Sequence, residues 1–369
     1  MHAAFEVGVL TEILQAVDKE KFELVGLSGT SAGALCTLMA WYGLAPKKNG
    51  SPGSAAEAIC TLNRVWDDFT AGTASENLLN LLSFYSLRLQ EIEVPVLGLS
   101  APVVGLGPSS FASKAIAWWL PFLDVRKQYF DLEELLCEAC PKFDDVEWSE
   151  VKTRLLVGAS EVVHGLETVF DSAVNKDPQA EGIRGWRQRL PLSLSGVAAS
   201  GTLPEFCEAV CTKDGYYWDG LYSQNPPVRE FLSGVPRKDT PDELWIVRIN
   251  PQQRRGYPAS RAEILDRQNE LMGNLSLNKE LDFVLTVNDW VSDYREKFAT
   301  KYKPVTVRTI KMKEETANEL GYSSKFDRRR DFTKRLRDEG HAVAQEWLSR
   351  WPDVGCYPED AAYRKRSYR

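Results

Sequence analysis

The chain has 369 residues, of which 43% are hydrophobic and 26% charged, with a net charge of −7. That length and balance describe a globular chain able to bury a large core in one or two domains, and the acidic surplus argues against nucleic acid as a partner. Seven cysteines, an odd number scattered along the chain, fit reduced thiols better than a disulfide framework.

No secretory signal opens the sequence and no uninterrupted run of about 18 apolar residues occurs, so the expected location is cytoplasmic, with peripheral membrane contact left open. Apolar residues at helical spacing (Phe5, Val9, Leu10, Ile13, Leu14) predict a helix over 3–16. Residues 22–25 read as a buried strand, 34–41 as an apolar helix and 46–53 as a loop. Helices are expected over 55–70 and 77–92. Residues 94–123, rich in Pro, Gly and Trp, read as a covering segment, a lid or a membrane-surface wedge. Gly105-Leu106-Gly107-Pro108 lacks the third glycine of a dinucleotide loop, and Pro108 offers no backbone donor. Cys137 and Cys140 fall in a helical stretch with no second pair nearby, which favours packing over zinc.

Strands are expected over 151–159 and 166–170, then a small-residue helix over 192–199. A hairpin is expected from 207–212 to 216–218 around Lys213-Asp214-Gly215. A strand at 244–249, a long helix over 259–298, a strand at 302–312 and an amphipathic helix over 326–351 complete the chain. This order predicts an α/β fold with a mainly helical C-terminal region. The run Arg328-Arg329-Arg330, Lys334, Arg335, Arg337 and the tail Arg364-Lys365-Arg366 read as solvated charge, with anionic head groups as the alternative.

One stretch carries chemistry. Gly29-Thr30-Ser31-Ala32-Gly33 lies between a strand pattern and a helix pattern, which is the setting a nucleophile elbow requires. Such a turn strains its central residue and brings backbone segments together, so small residues must flank it. It also places the serine oxygen at a helix N-terminus, where developing negative charge is favoured. A serine needs a base. His164 ends a strand and reads as structural, and His341 lies in a charged helix. Asp219, at the end of the aromatic strand Tyr216-Tyr217-Trp218 and followed by Gly220, is the better candidate, since a carboxylate packed among aromatics can serve as base.

Taken with Ala199-Ser200-Gly201-Thr202-Leu203-Pro204 and with Asn225-Pro226-Pro227 after Asp219-Gly220, the elbow resembles the patatin-like phospholipase family. The resemblance covers roughly residues 3–235. It implies a three-layer α/β/α sandwich over 1–238, with 239–369 as an additional strand-plus-helix region. It implies Ser31 as nucleophile, Asp219 as base, and Gly29, Gly33 and Gly220 as supporting residues. It implies no metal and no cofactor, and a lipid or fatty-acyl ester as substrate. Leu221 departs from the small residue usual after Asp-Gly. Such chains open with a strand and a glycine-rich loop that forms the oxyanion hole. Here His2 and Ala3 fall where that loop ends, and the strand and glycines are not in the sequence. The expectation is that a form extended ahead of Met1 is the working enzyme. A lipid- or protein-binding module on the same fold and a soluble-ester or polyester hydrolase are the alternatives.

Overall fold

The computed structural model describes residues 1–91, 124–129, 131–204, 207–254, 256–259, 261–355 and 357. The covering segment expected at 94–123 and the basic tail at 364–366 lie outside these residues.

Helix α1 (Ala4–Asp18) buries nearly its whole length and leads to strand β1 (Gly26–Thr30). The strand falls later than its apolar lead-in suggested. Phe22 and Leu24 pack on the core from outside the ladder, Val25 is exposed, and pairing begins at Gly26. Hydrophobicity marked the approach; the glycines mark the strand, because Phe231 sits where a Gly26 side chain would be. Helix α2 (Ala32–Leu44) is buried from Ala34 through Gly43, a central helix with no solvent face. Helices α3 (Ala55–Phe69), α4 (Ala74–Glu91) and α5 (Leu132–Ala139) follow. The Ser54 hydroxyl caps α3 and the Asp131 carboxylate caps α5. Cys137 of α5 is exposed and Cys140, just past the end of the helix, is buried, so only one of that pair packs inward.

Among the described residues the main sheet is mixed and has seven strands: β1, β2 (Arg154–Glu161), β3 (Glu167–Asp171), β4 (Gly182–Arg184), β5 (Arg187–Pro191), β6 (Val210–Thr212) and β7 (Gly215–Asp219). Helix α6 (Ser172–Lys176) follows β3, and α7 (Leu194–Ser200) follows β5. Strand β5 has no apolar alternation and is not apparent from the sequence. Arg187 and Arg189 occupy it because acceptors wait for them: Arg189 donates to Asp171 at 2.6 Å, and Asp171 also accepts from Arg154. Those guanidinium groups hold the buried Asp171 carboxyl below its usual range, against the opposing pull of desolvation.

Strand β2 organises the sheet. One edge takes β3 antiparallel. The other edge is shared: β1 runs parallel along Arg154–Gly158, and β7 runs antiparallel along Ala159–Glu161. A separate pair, β8 (Glu243–Arg248) with β9 (Thr306–Lys311), is parallel. Between them run α8 (Arg261–Asp293) and α9 (Arg295–Phe298), a break at Tyr294 dividing the single helix expected there. Helices α10 (Glu314–Glu319) and α11 (Arg330–Arg350) close the described chain.

Two apolar clusters hold these parts together. One joins α1, α2, α3 and α11 to Leu27, Leu155 and Val157 of the sheet. The other joins Leu156 and Val169 to Leu244 and Ile246 of β8 and to Leu277, Leu281 and Val284 of α8. Among the described residues no helix is long and apolar enough to cross a membrane.

Candidate active site

Ser31 stands between β1 and α2 with φ 59° and ψ −131°, a left-handed conformation that a residue with a Cβ adopts at a cost of about 1–3 kcal/mol. Close packing holds it there. A Cβ on Gly29 would lie 2.3 Å from the Gly33 carbonyl oxygen, so only glycine fits the approach. The Ser28 hydroxyl donates to the Pro227 carbonyl at 2.5 Å, and the Thr30 hydroxyl to the Gln224 carbonyl at 2.8 Å. The elbow is therefore tied on one side to the segment that follows Asp219.

Asp219 ends β7 and is fully buried. Its amide donates to the Thr202 carbonyl at 2.9 Å, its Oδ1 accepts from the Leu221 amide at 2.8 Å, and its carbonyl accepts from the Ser160 hydroxyl at 3.0 Å. The ladder brings the two residues together. Thr30, just before the serine, is opposite Gly158, and Asp219 is opposite Ala159, the next residue of β2. Gly220 then crosses so close to β2 that a Cβ there would be 2.4 Å from the Gly158 carbonyl. Leu221 turns towards Gly273 of α8.

Ser200 at the end of α7 completes the frame, and sequence reasoning gave it no role beyond its place in a motif. The Ser31 amide donates to the Ser200 hydroxyl at 3.0 Å, which in turn donates to the Gly158 carbonyl at 2.6 Å. The turn from Ser200 to Thr202 therefore grips both Ser31 and Asp219. With the Ser31 amide so used, the nearest amides in the chain are those of Ala32 and Gly33, the first of α2, which a helix leaves without intrahelical partners.

Ser31 and Asp219 open on a cleft of about 2200 Å³ that also takes in Met1, His2 and Ala3. His2 is buried, bonds to the Ser324 hydroxyl at 2.7 Å, and is pushed well below its ordinary pKa by burial and by the neighbouring Met1 amine and Lys325. Ala3 offers its carbonyl to the Cys36 thiol at 3.8 Å. Glu6, another residue without a signal in the sequence, lines the same cleft 3.3 Å from where a Gly33 Cβ would be. Burial pushes its carboxyl up to about 7, against the pull of the Met1 amine and a Cys36 hydrogen bond.

The remaining histidines stay outside the cleft. His164 is largely exposed and faces Glu161 at 3.3 Å, while His341 meets Glu12 at 2.9 Å. The basic run is mostly engaged within the fold: Arg328 lies over the rings of Phe69 and Tyr129, Arg329 pairs with Asp327, Lys334 with Asp338 and Arg337 with Asp67. Arg328 is thus a packed residue rather than the solvated charge expected of it. Among the described residues no group of three or more His, Cys, Asp or Glu side chains is placed to hold a metal ion. The sequence matches no protein-family model, and no curated protein matches it.

Proposed function

We propose that this chain is a serine acyl hydrolase of patatin-like type, a three-layer α/β/α sandwich acting on carboxylic esters of lipids through Ser31 and Asp219. The observation that carries the reading is the register of β2, which receives the elbow strand at Gly158 and Asp219 at Ala159. Ser31 and Asp219 lie 188 positions apart in the sequence, yet Thr30, which leads directly into the strained serine, and the buried Asp219 occupy successive rungs of one strand edge.

In this reading Asp219 takes the proton of the Ser31 hydroxyl as its oxygen bonds to the ester carbonyl carbon. The amides at the start of α2 meet the negative charge that forms on the carbonyl oxygen. The ester C–O bond breaks, the alcohol leaves with the proton from Asp219, and water then releases the acyl group as a carboxylic acid. A lipid surface as the place of action is supported by exposed apolar residues on two touching helices, Leu78, Leu81 and Leu82 of α4 and Ile264, Leu265 and Leu275 of α8.

Fluorophosphonate labelling read by intact mass tests the dyad. The expected result is one adduct on the chain, lost in Ser31→Ala and in Asp219→Asn. An adduct that survives Ser31→Ala would overturn the assignment. A folded chain that takes no adduct would favour a binding module on this fold. Faster turnover of acyl lipid in vesicles than of soluble short-chain esters is the expected substrate preference.

A further inference from the structure

Arg248 ends β8 and is 9% exposed. Side chains alternate along a strand, so it shares a face with Leu244 and Ile246, which enter the apolar cluster against α8. The period of two calls for another apolar residue at 248, and a guanidinium stands there instead. Its partners are neutral. Nη1 donates to the Gln252 Oε1 at 3.0 Å, Nη2 donates to the Asn278 Oδ1 at 3.1 Å, and the Tyr357 ring centre lies 5.7 Å away. Burial pulls the group down from its ordinary value, with only Tyr357 opposing, yet an arginine keeps its charge.

The acidic residues of α8 are engaged elsewhere. Glu270 accepts from Arg254 and Arg267, Asp266 pairs with Lys325 and Arg254, and Glu280 accepts from Arg187 and two amides. Across the β8–β9 ladder Arg248 is opposite Lys311, a second positive charge. Among the described residues no carboxylate pairs with Arg248. A buried charge ordinarily has a charged partner, because leaving water unpaired is costly.

One edge of the guanidinium is open to such a partner. Asn278 Nδ2 lies 3.4 Å from the Gln252 Oε1, so both amides sit together at the Nη end. The Nε–H has no partner. With the adjoining Nη2 hydrogen it forms the fork by which arginine takes an oxyanion through two parallel hydrogen bonds. Arg248 also lines the cleft that opens on Ser31, together with Asn250, Asn269 and Asn274.

We propose that Arg248 anchors an anion subsite of this cleft, which takes a phosphate group, either free or borne by a lipid head group. Two positive charges, a tyrosine hydroxyl and the Gln252 amide suit a tetrahedral group with several oxygens and more than one negative charge. The head-group form rests on the Ser31 reading, because the cleft then holds the ester as well. The free form does not.

The test uses the Ser31→Ala chain, which lacks the proposed nucleophile. Its melting is followed in phosphate at about 10 mM against sodium chloride of equal ionic strength. The expected result is a Tm about 2 °C higher in phosphate, with the shift lost when Arg248→Met is added. Should Arg248→Met not fold, Arg248→Lys keeps the charge without the fork, and phosphate should bind it at least about tenfold more weakly. No shift in the Ser31→Ala chain, or equal phosphate binding with and without the Arg248 substitution, would overturn the proposal. Acetate or laurate acting as strongly as phosphate would also overturn it and assign the fork to a carboxylate. Dihexanoyl phosphatidate separates the two sources: binding at least about tenfold tighter than phosphate assigns a head group, and equal binding assigns free phosphate. Phosphate binding in a chain that takes no fluorophosphonate would count against the Ser31 reading and leave the subsite standing.

Discussion

Ser200 is buried and makes two hydrogen bonds, one to the elbow at Ser31 and one to Gly158 of β2. Ser200→Ala leaves the Ser31 amide and the Gly158 carbonyl without it, a loss of about 1–3 kcal/mol if neither finds a substitute. Because one of those groups is the amide of the proposed nucleophile, fluorophosphonate labelling should slow by roughly tenfold or more, while Ser31→Ala should abolish it. Equal labelling rates in Ser200→Ala and the parent chain would remove Ser200 from the frame. Glu6 gives a pH signature of its own. Its folded pKa, about 7, lies above the ordinary 4.5 because of burial, so the carboxyl is comfortable only while protonated. Its contribution is complete below about 4.5 and is lost as pH rises through 7. Glu6→Gln should therefore gain in Tm relative to the parent between pH 5 and pH 8, and a pH-independent difference would refute this.

Among the elements, α8 is seated by charge as well as by its apolar face. Its Glu280 accepts from the Val228 and Arg229 amides and from Arg187 at 2.8 Å, and Arg187 also pairs with Glu230 and Glu167. Arg187→Met would strand two buried carboxylates, at a cost of about 3–5 kcal/mol in denaturant unfolding. Adding Glu280→Gln to that variant should recover part of the loss, whereas an unchanged midpoint in Arg187→Met would show that α8 does not rely on the network. This junction explains what escaped sequence reading. Strand β5 is polar because its arginines meet acidic partners from β3 and from α8, and no local pattern announces a partner so far along the chain. By contrast α1, α2 and α11 follow from apolar spacing or apolar density within each segment. The hairpin from β6 to β7 follows from Asp214-Gly215, where Gly215 takes φ 148°.

On the scale of the molecule, the elbow was legible because its constraints are local. A strand, a helix and two glycines within a few residues of Ser31 are enough to specify a sharp turn. The position of Asp219 at a strand end beside glycine was legible in the same way. The sequence by itself determined the parts: which segments are helices, where the strained serine sits, and that Asp219 ends a strand beside a glycine. Only the tertiary structure decided their arrangement. The sharing of one β2 edge between β1 and β7, the hold of Ser200 on the elbow and the burial that raises Glu6 all join residues far apart in the chain. Such pairings depend on ladder register and on the exclusion of water, and both exist only once distant segments have packed.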